Sequence, residues 1–362
     1  MIANAQGGCC NSEMTRKDRF LDGFRVIHLH PTLKCNLACK HCYSSSAPGH
    51  YKELEPKVII EFLKYAWEYG FNALSVSGGE PFLYSGLKEV LAESKNLGYK
   101  NIVASNGMLI KTERAKGILE SIDLIAISID GDQQLHDEIR NQKGAYSKML
   151  EGVAVLKKLK KDFGFIHTLT PGSWDLLLEL FTFAIDQGAK LLQLHPLELY
   201  GRAATEMPAS VTSQEFLHKV YILGNYLKSK YYPEMLVQLD FLHRKYVLEY
   251  PETASYFGTG FSADKDTFSK AIKTIVIDEL GNVVPISYGF SNRFRVGNIR
   301  ESLRKTDIFE RYLADKWGLL YQLLEQTYHE VVADEENDMV VWSELIVKNS
   351  RLYQLQSSLK DY

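Results

Sequence analysis

Three cysteines fall within eight residues, in Cys35-Asn36-Leu37-Ala38-Cys39-Lys40-His41-Cys42, at offsets of four and three. Thiolates this close together can each hold one corner of an iron-sulfur cube. No cysteine follows Cys42 in the chain, so one iron of such a cube would have no thiolate and would stay open. A structural zinc site is a competing reading. It takes four ligands, commonly in C-x2-C pairs, and His41 or His50 would have to complete the set at a spacing unusual for zinc. Three unliganded core cysteines fit poorly with Lys40 and His41 inside the run, and an electron-transfer ferredoxin site would want four thiolates. Cys9 and Cys10 are adjacent near the amino end; two neighbouring thiols cannot build a second cube, and they read as part of a disordered tail.

The cysteines follow directly on a short apolar stretch, Phe24 to Leu29, the first of six strand-like segments. The others are Ala73 to Val76, Asn101 to Ser105, Leu124 to Ile129, Phe163 to Leu169 and Leu191 to Leu194, each apolar as strands covered on both faces must be. Amphipathic segments lie between them. Val58, Ile59, Phe62, Leu63, Ala66 and Trp67 recur at helical spacing and stop at Gly70. Further helices are expected over Leu87 to Asn96, Glu113 to Glu120, Tyr146 to Lys160 and Trp174 to Ile185. Repeated βα units joined by right-handed crossovers give either an open barrel or a doubly wound sheet, and the pattern alone leaves both open. The strand ends carry polar and glycine-rich turns: Ser77-Gly78-Gly79-Glu80-Pro81, Ala104-Ser105-Asn106-Gly107, Ser128-Ile129-Asp130-Gly131 and His195-Pro196. Paired glycines let a backbone approach a ligand closely, but the same strings also serve as bare turns.

C-x3-C-x2-C after a strand closely resembles the signature of radical S-adenosylmethionine (SAM) enzymes. The resemblance implies one [4Fe-4S] cluster on Cys35, Cys39 and Cys42, whose open iron binds the amino and carboxylate groups of SAM. It also implies reductive cleavage of SAM to a 5'-deoxyadenosyl radical that abstracts hydrogen from a substrate. The implied fold is α/β, a partial (β/α)6 TIM-like barrel with its site at the carboxyl ends of the strands. Ser77 to Pro81 looks like the family's GGE motif, which puts Gly78, Gly79 and Glu80 at SAM's methionine amino group. Ser105 and Asn106 resemble the S/T-N-G element that meets ribose or carboxylate oxygens. Ser128-Ile129-Asp130-Gly131, with His136-Asp137, Arg140 and Gly144-Ala145-Tyr146, resembles a run in the peptide-modifying branch. That run places Ser128 and Arg140 near SAM, and the fork of Arg140 suits a carboxylate. His195, or Leu194, is then expected near adenine, ahead of a P...G-R-A segment ending in Gly201-Arg202-Ala203. His28 and His30 read as structural histidines.

By this reading residues 1–23 are a flexible segment, 24–211 the partial barrel, and 212–362 a small α+β extension. In the extension a helix is expected over about Gln214 to Lys228, a loop over Thr253 to Lys265, and a hairpin over Lys273 to Pro285 turning at Leu280-Gly281-Asn282. A G-N-I element at Gly297-Asn298-Ile299 and a helix near Ser302 to Ala314 follow. Met339 to Leu359 is expected to be helical. Hairpin and G-N-I together resemble the SPASM or twitch extension, where they frame auxiliary clusters. Here Ile286-Ser287 stands where that family has cysteine after V-V-P, so the extension is expected to be free of clusters. Without an auxiliary cluster to accept an electron, the favoured outcomes are epimerisation with a returned hydrogen, rearrangement, or a crosslink whose electron returns through the single cluster. A returned hydrogen needs a donor, and with only Cys9 and Cys10 spare, a tyrosine or an external reductant must serve.

The resemblance further implies a ribosomally made precursor peptide as substrate and a reductant such as flavodoxin or ferredoxin. Leader recognition is expected to need a separate leader-binding protein or the C-terminal domain, since some 23 residues before the first strand are too few for a domain. A small-molecule substrate, and a non-catalytic descendant that binds a peptide or partner around a structural cluster, are the alternatives. The formal net charge of -3 provides no field to recruit nucleic acid or an anionic membrane. There is no apolar run of about 18 residues to span a bilayer, and the first 18 residues lack an apolar signal core. Cysteine usage points to a reducing compartment, so a cytoplasmic protein is expected.

Overall fold

A computed structural model describes residues 23–210, 212–254, 268–301 and 307–358. Cys9, Cys10 and most of the loop expected over Thr253 to Lys265 lie outside the described residues, as does the start of the helix expected near Ser302. The first half of the chain alternates strand and helix: β1 (Val26–Leu29), α1 (Pro56–Glu68), β2 (Ala73–Val76), α2 (Leu87–Leu97), β3 (Lys100–Ser105), α3 (Glu113–Leu119) and β4 (Leu124–Ser128). Next come α4 (Gln133–Ile139), α5 (Ala145–Lys158), β5 (Phe163–Leu169), α6 (Leu177–Gln187) and β6 (Leu191–Pro196). The bounds of β2 and β5 are those the apolar runs predict. The helix expected from Trp174 starts three residues later, because Thr170 and Ser173 first close a capped single turn over Pro171–Ser173.

Strands β1 to β6 pair in parallel and in sequence order, and β7 (Leu236–Leu239) adds a seventh parallel strand beside β6. A doubly wound sheet reverses its order at a switch point. This order never reverses, so same-handed crossovers stack the helices on one face and leave the other as the inside of a barrel wall. Burial alternates accordingly. Ile27, Leu74, Val103, Ile125, Ile127, Phe165 and Leu192 are fully buried and join Phe62, Leu63, Leu91, Val153 and Phe181 of the helices in one core. Each such side chain contributes about 1.5–3 kcal/mol. The inward positions His28, Ser75, Ala104, Ser128, Thr168 and His195 keep accessible surface. At the amino ends of the strands Ile102, Leu124 and Leu191, with Leu236, form a separate apolar cluster. The wall thus has a closed apolar floor and a polar, accessible interior toward the carboxyl ends.

The second half comprises α7 (Ala203–Glu206), α8 (Gln214–Tyr231), β7, β8 (Leu242–His243), α9 (Arg244–Glu249), α10 (Phe268–Ala271), β9 (Thr274–Ile277), β10 (Asn282–Pro285), β11 (Gly297–Asn298), α11 (Ile308–Asp315), α12 (Trp317–Ala333), β12 (Met339–Val340) and α13 (Trp342–Ser358). The expected hairpin is β9–β10, and Asn282 lies in the strand, not the turn. It joins the main sheet: β9 runs parallel to β1 with Ile275 opposite Ile27, giving the order β11-β10-β9-β1-β2-β3-β4-β5-β6-β7. Met339 and Val340, expected to begin a helix, instead pair with β8. Ile286 follows the hairpin with φ +68°, an uncommon conformation for a β-branched residue. No described helix is long and apolar enough to cross a membrane.

Candidate functional site

The cysteine loop leaves β1 and is pinned at the exits of four strands. From β2, Gly79 N–H donates to Thr32 O (2.8 Å) and Glu80 N–H to Lys34 O (2.9 Å). This approach requires glycine: a Cβ on Gly79 would lie 2.1 Å from Lys34 O, and Gly78 adopts φ +99° against Thr32 and His30. From β3, Asn106 Nδ2 donates to Asn36 Oδ1 (2.8 Å) inside the cysteine run. From beyond β4, Lys40 N–H donates to Ile139 O (2.8 Å). From beyond β6, Arg202 donates through Nε to Cys39 O and through Nη2 to Ser46 O, both at 2.7 Å, while its backbone N–H reaches Cys42 O (2.9 Å).

Glu80 is 1% exposed and its carboxylate faces protein. It accepts from Ser105 Oγ (2.9 Å), Asn106 N–H (2.9 Å) and Phe82 N–H (3.2 Å). Burial drives its pKa up to about 7, against those donors and Arg140. Of the expected group, Glu80, Ser105 and Asn106 are therefore one hydrogen-bonded unit, in which the glutamate ties the β2 exit, with Gly78 and Gly79, to the β3 exit.

Around β4 the hub is Asp130, which is fully buried. Arg140 grips it through Nε to Oδ2 (2.6 Å) and Nη2 to Oδ1 (3.2 Å), and His41 Nε2 lies 3.1 Å from the same Oδ1. Burial works against the charge, but Arg140 and His41 hold the Asp130 carboxyl well below the usual range. Asp130 N–H donates to His136 Nδ1 (3.2 Å), which requires that nitrogen to be unprotonated; burial keeps His136 neutral, with a pKa lowered to about 4. The third arm of Arg140, Nη1, points at Cys39 Sγ (3.7 Å). Ser128 ends β4 on the accessible inner face.

Cys35, Cys39 and Cys42 pack into one small cluster with Leu37, Met108 and Ala145. Each sulfur meets one polar group: Leu37 N–H donates to Cys35 (3.4 Å), Arg140 to Cys39, and the Ser44 hydroxyl shares a hydrogen bond with Cys42 (3.5 Å). Burial pushes the Cys35 thiol up to about 12 and raises Cys39 despite Arg140. As bare thiols they would stay protonated, so thiolates here call for a bound cation. Among the described residues no three His, Cys, Asp or Glu side chains converge on a single-ion site. Three thiols sharing one apolar pocket, each with a polar group at its sulfur, fit the corners of a larger iron-sulfur centre. His41 Nδ1, buried in the same loop, has no protein partner.

His195 stands apart from these groups, on the β6–β7 wall. Its Nδ1 lies 2.9 Å from Asp240 Oδ2 and its Nε2 3.5 Å from Glu198 Oε1. Burial opposes its charge, but Asp240 and Glu198 raise its pKa to about 10, so it is a cation. Sequence reasoning gave no role to Asp130, Asn36, Arg202, Asp240 or Glu198. Asp130 and Arg202 were already inside quoted motifs; Asp240, beyond a strand that the pattern did not reveal, carried no signal.

A consecutive parallel barrel wall, with a three-thiol loop braced at its carboxyl edge, defines an α/β protein built to hold an iron-sulfur centre at its strand ends. Residues 29–183 match the Radical SAM superfamily, so that stretch of the chain is similar to the superfamily's domain. Members use a [4Fe-4S] cluster and SAM. The AdoMet-dependent heme synthase of Oleidesulfovibrio alaskensis is 30% identical over 218 residues, 59% of this chain and 55% of that protein. The sporulation killing factor maturation protein SkfB of Bacillus subtilis is 26% identical over 187 residues, 51% of this chain and 45% of that one. The chain thus spans about half the length of these relatives. Streptococcus suis SuiB, solved with its precursor peptide SuiA, superposes with a TM-score of 0.63 at 16% identity, over 83% of this chain and 66% of that one. SuiB has also been solved with S-adenosylmethionine, at a TM-score of 0.62 and 15% identity over 83% of this chain and 68% of that one. At such identities the likeness is one of fold, and it extends beyond the superfamily domain.

Proposed function

We propose that the chain is a radical SAM enzyme that acts on a ribosomally made peptide, with Cys35, Cys39 and Cys42 as the ligands of one [4Fe-4S] cluster. The carrying observation is the cluster of three thiols with Arg140 held against Cys39 by Asp130. SAM, bound and reduced at such a centre, supplies a 5'-deoxyadenosyl radical that removes hydrogen from carbon. The chain's own part is placement. Gly78 and Gly79 bring backbone to the loop without side chains in the way, and Asp130 fixes the Arg140 fork so that Nη1 is held against Cys39 Sγ, a guanidinium edge beside the proposed cluster. His41 Nδ1 offers an unused polar atom to the nucleotide. Ser128 faces the accessible interior, where SAM and substrate would share space, and His195, ion-paired to Asp240 and Glu198, stands on the other wall.

A peptide substrate is supported by the similarity to the maturation protein SkfB and by the fold likeness to SuiB over 83% of this chain. A small-molecule substrate is the second reading, favoured by the heme synthase match. Epimerisation, rearrangement or crosslinking is the reaction class, with a flavodoxin or ferredoxin as reductant, a separate leader-binding protein as partner, and the cytoplasm as its place. The division into a partial barrel over 24–211 and an extension over 212–362 belongs to the same proposal. The test is anaerobic incubation of the iron- and sulfide-loaded protein with SAM and dithionite. Formation of 5'-deoxyadenosine supports the reading, and its absence from a loaded preparation refutes catalysis. Incubation with short peptides encoded beside the gene, against a porphyrin panel, separates the two substrate readings by product mass.

A further inference from the structure

We propose that Tyr43 is the hydrogen-atom donor that quenches a carbon radical in this site; the inference rests on the radical SAM reading above. A substrate carbon that has lost hydrogen must regain one if the product is redox-neutral. Thiols often serve, but all three described cysteines are committed to the cluster. A phenolic O–H is the other common side-chain bond weak enough to yield hydrogen to carbon.

Tyr43 follows Cys42 directly, and its backbone is locked in place. Gly201 packs so closely that a Cβ there would lie 2.2 Å from Tyr43 O, and Arg202 N–H holds Cys42 O. The side chain is half-buried. Its hydroxyl lies near Ser77 at the β2 exit, and Ser77 Oγ lies 3.1 Å from His30 Nε2. Its ring meets His30 (centroids 6.0 Å) and Tyr288 (5.4 Å) edge-on, and His30 stacks on Tyr288 at 4.5 Å. Tyr288 in turn lines a cavity of about 320 Å³ with Asp278, Gly289, Ser291 and Arg351. A group of three rings, Tyr43, His30 and Tyr288, therefore runs from the cluster loop to the hairpin end.

The step balances as follows. The Tyr43 O–H bond breaks homolytically and a substrate C–H bond forms, leaving a tyrosyl radical. That radical takes one electron from a reduced flavin or iron-sulfur protein and one proton from solvent, which restores the phenol.

The experiment needs no substrate. Loaded full-length protein carrying Cys9→Ala and Cys10→Ala, which removes the chain's other thiols, is incubated with SAM and dithionite in D2O. With no substrate, the 5' carbon is quenched by the exchangeable O–D of Tyr43. The expected product is singly deuterated 5'-deoxyadenosine, accompanied by a freeze-quenched tyrosyl signal in electron paramagnetic resonance. Tyr43→Phe, or Tyr43→Leu if the first does not load iron, should yield product without deuterium and without that signal. Undeuterated product from the parent protein, or deuteration that persists in both variants, overturns the proposal while leaving the radical SAM reading intact. No 5'-deoxyadenosine at all refutes the radical SAM reading, and the donor role with it. If neither variant holds iron, the parent protein decides: deuterium with a tyrosyl signal supports the role, and either one missing overturns it.

Discussion

Replacing Asp130 by Asn should be among the most damaging single changes outside the cysteines. The carboxylate is 0% exposed and Arg140 7% exposed, with Nε at 2.6 Å and Nη2 at 3.2 Å, and His41 at 3.1 Å from the oxygen that Nη2 meets. Water can therefore solvate neither charge well, and removing the anion leaves a guanidinium buried without its counter-charge. Breaking a buried pair from one side costs about 3–5 kcal/mol, a large part of a total stability of about 5–15 kcal/mol. The assay is urea unfolding of the metal-free protein under reductant, read as the shift in midpoint at constant slope. The double variant Asp130→Asn/Arg140→Gln removes the stranded charge and should recover part of the loss, with a coupling energy of about 1–3 kcal/mol. The pH dependence has a definite sign. The folded pKa of Asp130 is depressed, so its contribution is present above the unfolded value of about 3.9 and is lost as pH falls through the lower folded value. The gap between wild type and Asp130→Asn should thus be full near neutrality and close in strong acid. A cost below about 1 kcal/mol, the value of an exposed ion pair, or a double variant no better than the single, would refute this reasoning.

Gly79→Ala sets a Cβ 2.1 Å from Lys34 O, which is backbone and cannot rotate away; overpacking costs about 1–3 kcal/mol, and iron bound per chain after reconstitution should fall with it. Glu80→Gln turns one acceptor into a donor facing either Asn106 N–H or the Ser105 and Phe82 donors. A loss of about 1–3 kcal/mol in urea is expected. Because burial raises the Glu80 pKa to about 7, wild type loses stability as pH rises from about 4.3 toward 7, a slope that Glu80→Gln should flatten. His195 has a folded pKa raised to about 10, so its stabilisation is full below the unfolded value of about 6.5 and fades as pH rises through 10. Unfolding midpoints of wild type and His195→Gln should therefore differ most below pH 6.5 and converge at alkaline pH.

The parallel wall was legible because strands buried on both faces are written as apolar runs, and Phe163–Leu169 and Ala73–Val76 stop where their turns begin. Leu236–Leu239 was missed since four residues with Gln238 turned inward show neither a long apolar run nor a clear alternation. The order of pairing, which separates a barrel wall from a doubly wound sheet, is a property of space and not of any segment. In the site, spacing identified the three sulfurs and the glycines, because backbone approach leaves a mark in residue type. The direction in which a charged side chain turns leaves no such mark. Glu80 turns into the protein to serve Ser105 and Asn106, and His195 is claimed by Asp240, 45 residues further on. Arg202 likewise bonds carbonyls 156 and 163 residues away, and nothing local to Gly201-Arg202-Ala203 announces it.

The most direct test is iron, zinc and acid-labile sulfide per chain after anaerobic reconstitution, for wild type and for Cys39→Ala. Three thiols gripping one cube predict about four iron and four sulfide in wild type and a collapse of both in the variant. One zinc per chain with no sulfide, or an iron content indifferent to Cys39, would contradict the assignment and with it the chemistry built on it.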